Sequence, residues 1–299
     1  MDVKGFLNYL TFEKRVSDDT IRSYRKDIEQ FQGYLQAFYE ITSFSEVKTL
    51  HIRSWVVQMI GEQKAISTVK RKLSALKSLY NYLQRYHGLE HNPMIKIPIP
   101  KSGKKLPTVV QEWEMKRLFD QLPWDNSFSS LRDRLILALF YQTGLRRAEL
   151  LSLKTTQTDL NQKILRIVGK GDKERIIPFG EDLKTLTAKY LEVRNAQFPE
   201  QDNPLFLSDK GKRLYPKFIY NTVKKYLQLV STEEHLSPHV LRHSFATHLA
   251  NRGADLNAIK ELLGHSSLAA TQIYTHNTLD QLKLVYDKAH PKAKSDLSG

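Results

Sequence analysis

Apolar positions recur along the N-terminal third of the chain with a helical period. Ser17, Asp18 and Asp19 offer N-cap candidates, and Ile21, Tyr24, Ile28, Phe31 and Leu35 follow them about one turn apart. A second helix is predicted from Ser67, with Val69, Leu73, Leu76, Leu79, Tyr80 and Leu83 on one face and Lys70, Arg71, Lys72 and Lys77 on the other. Residues 1–96 therefore read as an all-helical unit that Asn92-Pro93 brings to its end. The stretch IPIPKSGKKLPT (97–108) combines three prolines with Lys101, Lys104 and Lys105, which disfavours helix and keeps the chain wet, so it reads as a linker. Residues 109–299 are mixed. Helices are predicted over 113–122, 184–194 and 217–230, and a more apolar, buried one over 131–141. KILRIV (163–168) and ERIIP (174–178) flank GKGDK, the pattern of an antiparallel hairpin with a glycine-rich turn. From Pro238 the chain reads as helical pieces broken at Gly253 and Gly264, and Gly264 is placed to end a helix over 256–263. The fold class is mainly α, with one small antiparallel β element in the second of two domains.

Composition narrows the partner. The chain has 299 residues and a formal net charge of +14, an excess that calls for an anionic partner. Nucleic acid is the first candidate and an anionic membrane surface the second. No apolar run is long enough to span a bilayer, and the N-terminus has no signal-peptide pattern, so a cytoplasmic protein is expected. With no cysteine there is no disulfide, thiolate metal site or cysteine nucleophile. The cations opposite the apolar face of the second helix are either a solvated surface or a phosphate-contacting one. Their sequence does not decide between the two.

Candidate chemistry lies in three segments. TGLRRAEL (143–150) places Arg146 directly after an apolar helix and a glycine. GKGDKER (169–175) places Lys170 in a turn. SPHVLRHSFATHL (237–249) sets His239 and Arg242 three apart on one helix face, and LLGHSSLAATQIYTH follows with His265, Tyr274 and His276. Arginines, histidines, a turn lysine and a tyrosine suit phosphoryl transfer on a phosphodiester. Guanidinium forks match nonbridging oxygens, histidine and lysine can move the two protons, and tyrosine can form a covalent phosphoester. A free tyrosine of pKa about 10 costs about 4 kcal/mol to deprotonate at pH 7, which nearby cations would lower. His239 and His243 have zinc-compatible spacing, but no acidic third ligand is evident and Arg242 would repel the ion, so no metal is expected. GKGDK also lacks the nucleotide-loop pattern, and no cofactor is expected.

These boxes resemble the tyrosine recombinase (lambda integrase-type) family, and closely its XerC/XerD branch. Thr143-Gly144-Leu145-Arg146 with Glu149 and Leu150 matches the family's first box, and Lys170 falls on its hairpin lysine. His239 and Arg242 fall in its H-x-L-R-H-S-F-A-T-H box, His265 in L-L-G-H, and Tyr274 in T-Q-I-Y-T-H. The resemblance covers nearly the whole chain, and the tail VYDKAHPKAK looks more like XerC than XerD. It implies an N-terminal core-binding, SAM-like helical domain and a catalytic domain closing as a clamp on duplex DNA. Tyr274 would be the nucleophile of a 3′-phosphotyrosine intermediate, Arg146 and Arg242 the oxyanion clamp, and Lys170 the acid for the leaving oxygen. His239 would be an acid/base, His265 a phosphate ligand, and Glu149 and His276 supports. Lys70, Arg71, Lys72, Lys77, Lys104 and Lys105 are the candidate DNA contacts. The family implies a tetramer on two recombination sites, with a paralogous recombinase and a translocase activator as partners, at the nucleoid, in chromosome dimer resolution at cell division. The first helix starts within a few residues of Met1, which leaves no room for the arm-binding domain of many mobile-element integrases. A mobile-element integrase, a type IB topoisomerase and a non-enzymatic helix–turn–helix regulator built on 256–274 are the rival readings.

Overall fold

The computed structural model describes residues 3–100, 108–168, 174–199, 204–264 and 276–292, without the side chains of 276–281. The chain divides into two compact units, Met1–Lys105 and Leu106–Gly299.

The first unit is helical throughout its described length. Helix α1 (Val3–Asn8) runs into a single π-helical turn (Tyr9–Glu13), and α2 (Asp18–Tyr39), α3 (Thr49–Gly61) and α4 (Ile66–His87) follow. Both long amphipathic patterns form as expected. Ile28, Phe31 and Leu35 of α2 meet Val69, Leu73, Leu76 and Leu83 of α4 in one core, closed by Phe6 and Leu10 on one side and Ile52, Trp55 and Met59 on the other. Left-handed residues end the two long helices, Glu40 after α2 and Gly88 after α4.

One expectation about α4 is corrected. Lys72 is not part of an exposed cationic face. It is 6% exposed, and its Nζ donates to buried Asp27 of α2 at 2.9 Å and also bonds Gln30. Arg71 reaches the same carboxylate. The cause lies on α2: Asp27 sits one turn before Phe31 on the apolar face, and a carboxylate in that position requires cations. Lys77 remains exposed and Lys70 is half-buried.

The second unit is built on α6 (Phe128–Thr143), which is apolar almost all round and correspondingly buried. Helices α8 (Glu181–Gln197) and α10 (Pro238–Asn251) pack along it, with α9 (Pro216–Leu227) at its side and α5 (Glu112–Asp120) leading in. Between the short α7 (Arg147–Ser152) and α8 lies a three-stranded antiparallel sheet in the order β1 (Thr158–Asp159), β2 (Ile164–Val168), β3 (Glu174–Pro178). The predicted hairpin is β2–β3, registered Ile164 to Pro178 and Val168 to Glu174. Strand β1 adds two residues, and an Asx turn joins it to β2: Asp159 Oδ1 accepts from the amides of Asn161 and Gln162 at 3.0 and 2.8 Å. Helices α11 (Leu256–Leu263) and α12 (His276–Ala289) pack against β3 and α10.

Removing Asp27 would strand a buried ammonium. Asp27→Ala is expected to cost about 3 kcal/mol in urea unfolding of the full chain, and a second change, Lys72→Met, should recover most of it. A loss below about 1 kcal/mol would show that water already solvates the pair.

Candidate active site

The site begins with a helix stop. Helix α6 ends at Gly144, which adopts φ +61° and donates its N–H to Phe140 O at 3.1 Å. A Cβ there would lie 2.6 Å from Phe245 and 2.8 Å from Leu263, so both conformation and space require glycine. The turn buries Leu145 and places Arg146 as N-cap of α7. Glu149, three residues on, closes a capping box by accepting the Arg146 N–H at 2.7 Å. The same carboxylate accepts the Arg146 guanidinium at 2.8 Å.

Arg175, the second residue of β3, approaches Glu149 from the sheet and forks onto both its oxygens at 2.8 Å each. Burial alone would raise the Glu149 pKa, but the hydrogen bonds and charge of Arg175, joined by Arg146, hold it at about 2.

A third arginine arrives from α10. Pro238 occupies the first turn of that helix, which leaves His239 exposed and turns Arg242 inward, 9% exposed, one turn later. Arg242 donates to Gly144 O and, at 2.7 Å, to Leu263 O. Burial and the nearby Arg146 lower its pKa to about 10, so it stays cationic at neutral pH.

The three guanidinium groups meet at the C-terminal end of α11. Arg175 Nε donates to Leu262 O at 3.0 Å, Arg242 to Leu263 O, and Arg146 to Gly264 O at 3.0 Å. The last carbonyls of a helix lack intrahelical partners and carry its negative dipole end, so cations belong there. Gly264 adopts φ +62° to end the helix, and a Cβ on it would press on Arg175 at 3.0 Å. Asp255 fixes the other end of α11 by accepting the amides of Asn257 and Ala258 at 2.7 and 3.1 Å.

Arg146, Glu149 and Arg242 are thus brought to one place, with His239 exposed a turn from Arg242. Lys170, His265, Tyr274, Lys104 and Lys105 lie outside the described residues, as does the side chain of His276. Lys170 follows β2 by two positions, and His265 follows Gly264 directly.

Two family profiles match the chain. The phage integrase family matches residues 108–280, and the N-terminal SAM-like domain of phage integrases matches residues 3–87. The chain belongs to the phage integrase family of tyrosine recombinases. It is 36% identical to tyrosine recombinase XerC of Thermodesulfovibrio yellowstonii, over 98% of this chain and 97% of that one. It is 38% identical to XerC of Alcanivorax borkumensis (98% and 94%) and 36% identical to XerD of Listeria monocytogenes (97% and 99%). Among solved structures, XerH site-specific recombinase bound to palindromic difH in a post-cleavage complex matches with TM-score 0.70 at 26% identity, over 89% of this chain and 79% of that one. The Tn1549 transposon integrase, 18% identical with TM-score 0.69 over 92% and 96%, shares the fold. As a tyrosine recombinase, the chain is a site-specific recombination enzyme.

The recombinase also contains a site residue that the motifs did not single out. Arg175 was readable from strand alternation: Ile177 points inward, and two residues before it the same face carries Arg175.

Glu149 should show in the pH dependence of stability. Its ordinary pKa of 4.5 falls to about 2 on folding, so its contribution is complete above pH 4.5 and is lost as pH falls toward 2. In urea unfolding, the stability gap between wild type and Glu149→Gln should shrink by about 2 kcal/mol from pH 7 to pH 3. A gap constant over that range would refute the ionised network.

Proposed function

We propose that the protein cuts and rejoins duplex DNA at a specific site through a 3′-phosphotyrosine intermediate, and that it does so as an Xer-type resolvase of chromosome dimers at cell division. What carries the reading is the meeting of Arg146 and Arg242 at the end of α11, immediately before the segment that holds His265 and Tyr274. Full-length relatives named XerC and XerD support the cellular role, whereas likeness to a transposon integrase at 18% identity is a likeness of fold.

The Tyr274 oxygen attacks the scissile phosphorus while its proton passes to His239. The bond from phosphorus to the 5′-oxygen breaks, and Lys170 gives the departing oxygen a proton. Arg146, Arg242 and His265 stabilise the nonbridging oxygens, whose charge grows in the transition state. Arginine suits this task because its planar fork stays charged and can share donors between a carbonyl and a phosphate oxygen. Glu149 holds Arg146, and His276 supports the nucleophile segment. The phosphotyrosine link conserves the energy of the broken bond, so rejoining is the same reaction reversed, without a metal or a nucleotide.

The N-terminal unit, residues 1–96, binds the duplex, residues 97–108 link it to the catalytic unit, and Lys70, Arg71, Lys77, Lys104 and Lys105 contact phosphates. Four protomers act together on two sites, paired with a paralogue and activated by a translocase. The protein works in the cytoplasm on the nucleoid. Among the described residues no helix is long and apolar enough to cross a membrane.

Trapping covalent protein–DNA adducts on the host chromosome and sequencing the linked DNA tests chemistry and target together. The wild type should give adducts at one site per chromosome, and Tyr274→Phe none. An adduct formed by that variant would remove Tyr274 as nucleophile, and adducts spread over the chromosome would favour a topoisomerase. Affinity for a duplex carrying the site should fall with a log–log salt slope of several units. A slope near zero would contradict binding through phosphates.

A further inference from the structure

Of the three arginines at the end of α11, Arg175 alone has no task in the proposed reaction. Its side chain is 6% exposed, and each of its three nitrogens has a protein acceptor: Nε the carbonyl of Leu262, Nη1 and Nη2 the two oxygens of Glu149. Its fork is on the carboxylate, and these bonds leave only two of its five N–H groups uncommitted.

Its effect on Glu149 is what matters. Each carboxylate oxygen accepts about two hydrogen bonds. Oε1 takes one from Arg175 and one from the Arg146 guanidinium, and Oε2 takes one from Arg175 and one from the Arg146 amide. The carboxylate is saturated. Arg146 spends one side-chain donor on it and one on Gly264 O, which leaves three of its five N–H groups uncommitted by these bonds. Without Arg175, each oxygen of Glu149 would have an open site, and the guanidinium already touching it is that of Arg146. A fork of Arg146 onto Glu149 would then replace the single bond and pull its donors from the end of α11.

We propose that Arg175 is a positioning residue for strand cleavage: by saturating Glu149 it keeps Arg146 from collapsing onto that carboxylate, and by holding Leu262 O it ties β3 to the same helix end. This rests on the recombinase site proposed above. Arg175 acts only through Arg146, Glu149 and α11, so its loss should slow chemistry without weakening DNA binding.

The test uses a nicked duplex built on the DNA recovered by adduct trapping, with full-length protein, single-turnover cleavage and separately measured affinity. The wild type and Tyr274→Phe report on the site itself. If the wild type forms no adduct, the site assignment falls and the role of Arg175 falls with it. Given a cleaving wild type, Arg175→Met should cleave on the order of 100-fold more slowly, the size of effect expected when a catalytic group is displaced by about 1 Å. DNA affinity should stay within about threefold. Arg175→Lys keeps the charge but not the fork, so its rate should remain at least about tenfold low at unchanged DNA affinity. These rates are compared at a temperature where melting shows each variant folded. Should Arg175→Met not fold, Arg175→Lys decides. A folded Arg175→Met or Arg175→Lys protein that cleaves within about threefold of wild type across the pH range would overturn the proposal, as would a rate loss matched by an equal loss of DNA affinity.

Discussion

The second unit is organised around one electrostatic constraint, the C-terminal end of α11. Three consecutive carbonyls, those of Leu262, Leu263 and Gly264, each receive a guanidinium from a different element: β3, α10 and the α6–α7 turn. Clustered arginines repel one another, and burial adds a cost that shows in the lowered pKa of Arg242. The assembly holds because a helix terminus supplies acceptors in a row and because Glu149 supplies the one full negative charge bonded to two of the three. Three arginines against one carboxylate leave a formal surplus of two positive charges. That surplus suits an anion with two nonbridging oxygens, the group a phosphodiester presents.

The surrounding sequence follows from that arrangement. Gly144 must be glycine because α10 and α11 come within contact of the α6 stop, at Phe245 and Leu263. Gly264 must be glycine because Arg175 crosses over it and the helix turns left-handed there. Pro238 starts α10, and Arg242, one turn on, lies on its buried face with Leu241 and Phe245. A match to TGLR, ER, HxLR and LLG is therefore a match to one packed cluster rather than to four separate sites. This is why segments far apart in the chain carry a family signature together.

Much of this was legible beforehand, for identifiable reasons. The apolar periods of α2 and α4, the all-apolar α6, the β2–β3 hairpin and the Gly264 stop each arise from local patterning that tertiary structure reinforced. Helix α3 has no clear period of its own in the sequence. Its Leu50, Val57 and Ile60 are exposed while Ile52, Trp55 and Met59 are buried, so the two apolar sets blur the period. Strand β1 is two residues long, too short for alternation to register. Lys72 and Arg175 share a different difficulty. Each is a cation on an apolar face, and its burial is decided by a carboxylate on another element, Asp27 on α2 and Glu149 on α7. A period reports which side of an element a residue occupies, but its neutralising partner belongs to another part of the sequence.

The far end of the last helix is seated mainly by packing and neutral hydrogen bonds, beside a partly exposed ion pair of Lys292 with Asp120 at 3.1 Å. Beyond α12, His290 is buried with its ring stacked on Tyr286, 4.8 Å between centroids. Its Nδ1 accepts the Lys292 amide at 3.1 Å, so Nε2 carries the hydrogen that is donated to Tyr141 O at 3.2 Å. That pattern requires the neutral ring, and burial accordingly drives its pKa down to about 3. Tyr141 in turn bonds His248 of α10 at 3.1 Å, so this seat reaches the helix that carries Arg242. Helix α11 is thus held at its C-terminal end by three arginines, and α12 at its own C-terminal end by a neutral histidine and a tyrosine. The chemistry proposed for Tyr274 asks for that contrast. The phosphate of the proposed reaction needs fixed positive charge, which the arginines at the end of α11 supply, while the far end of α12 is held largely by packing.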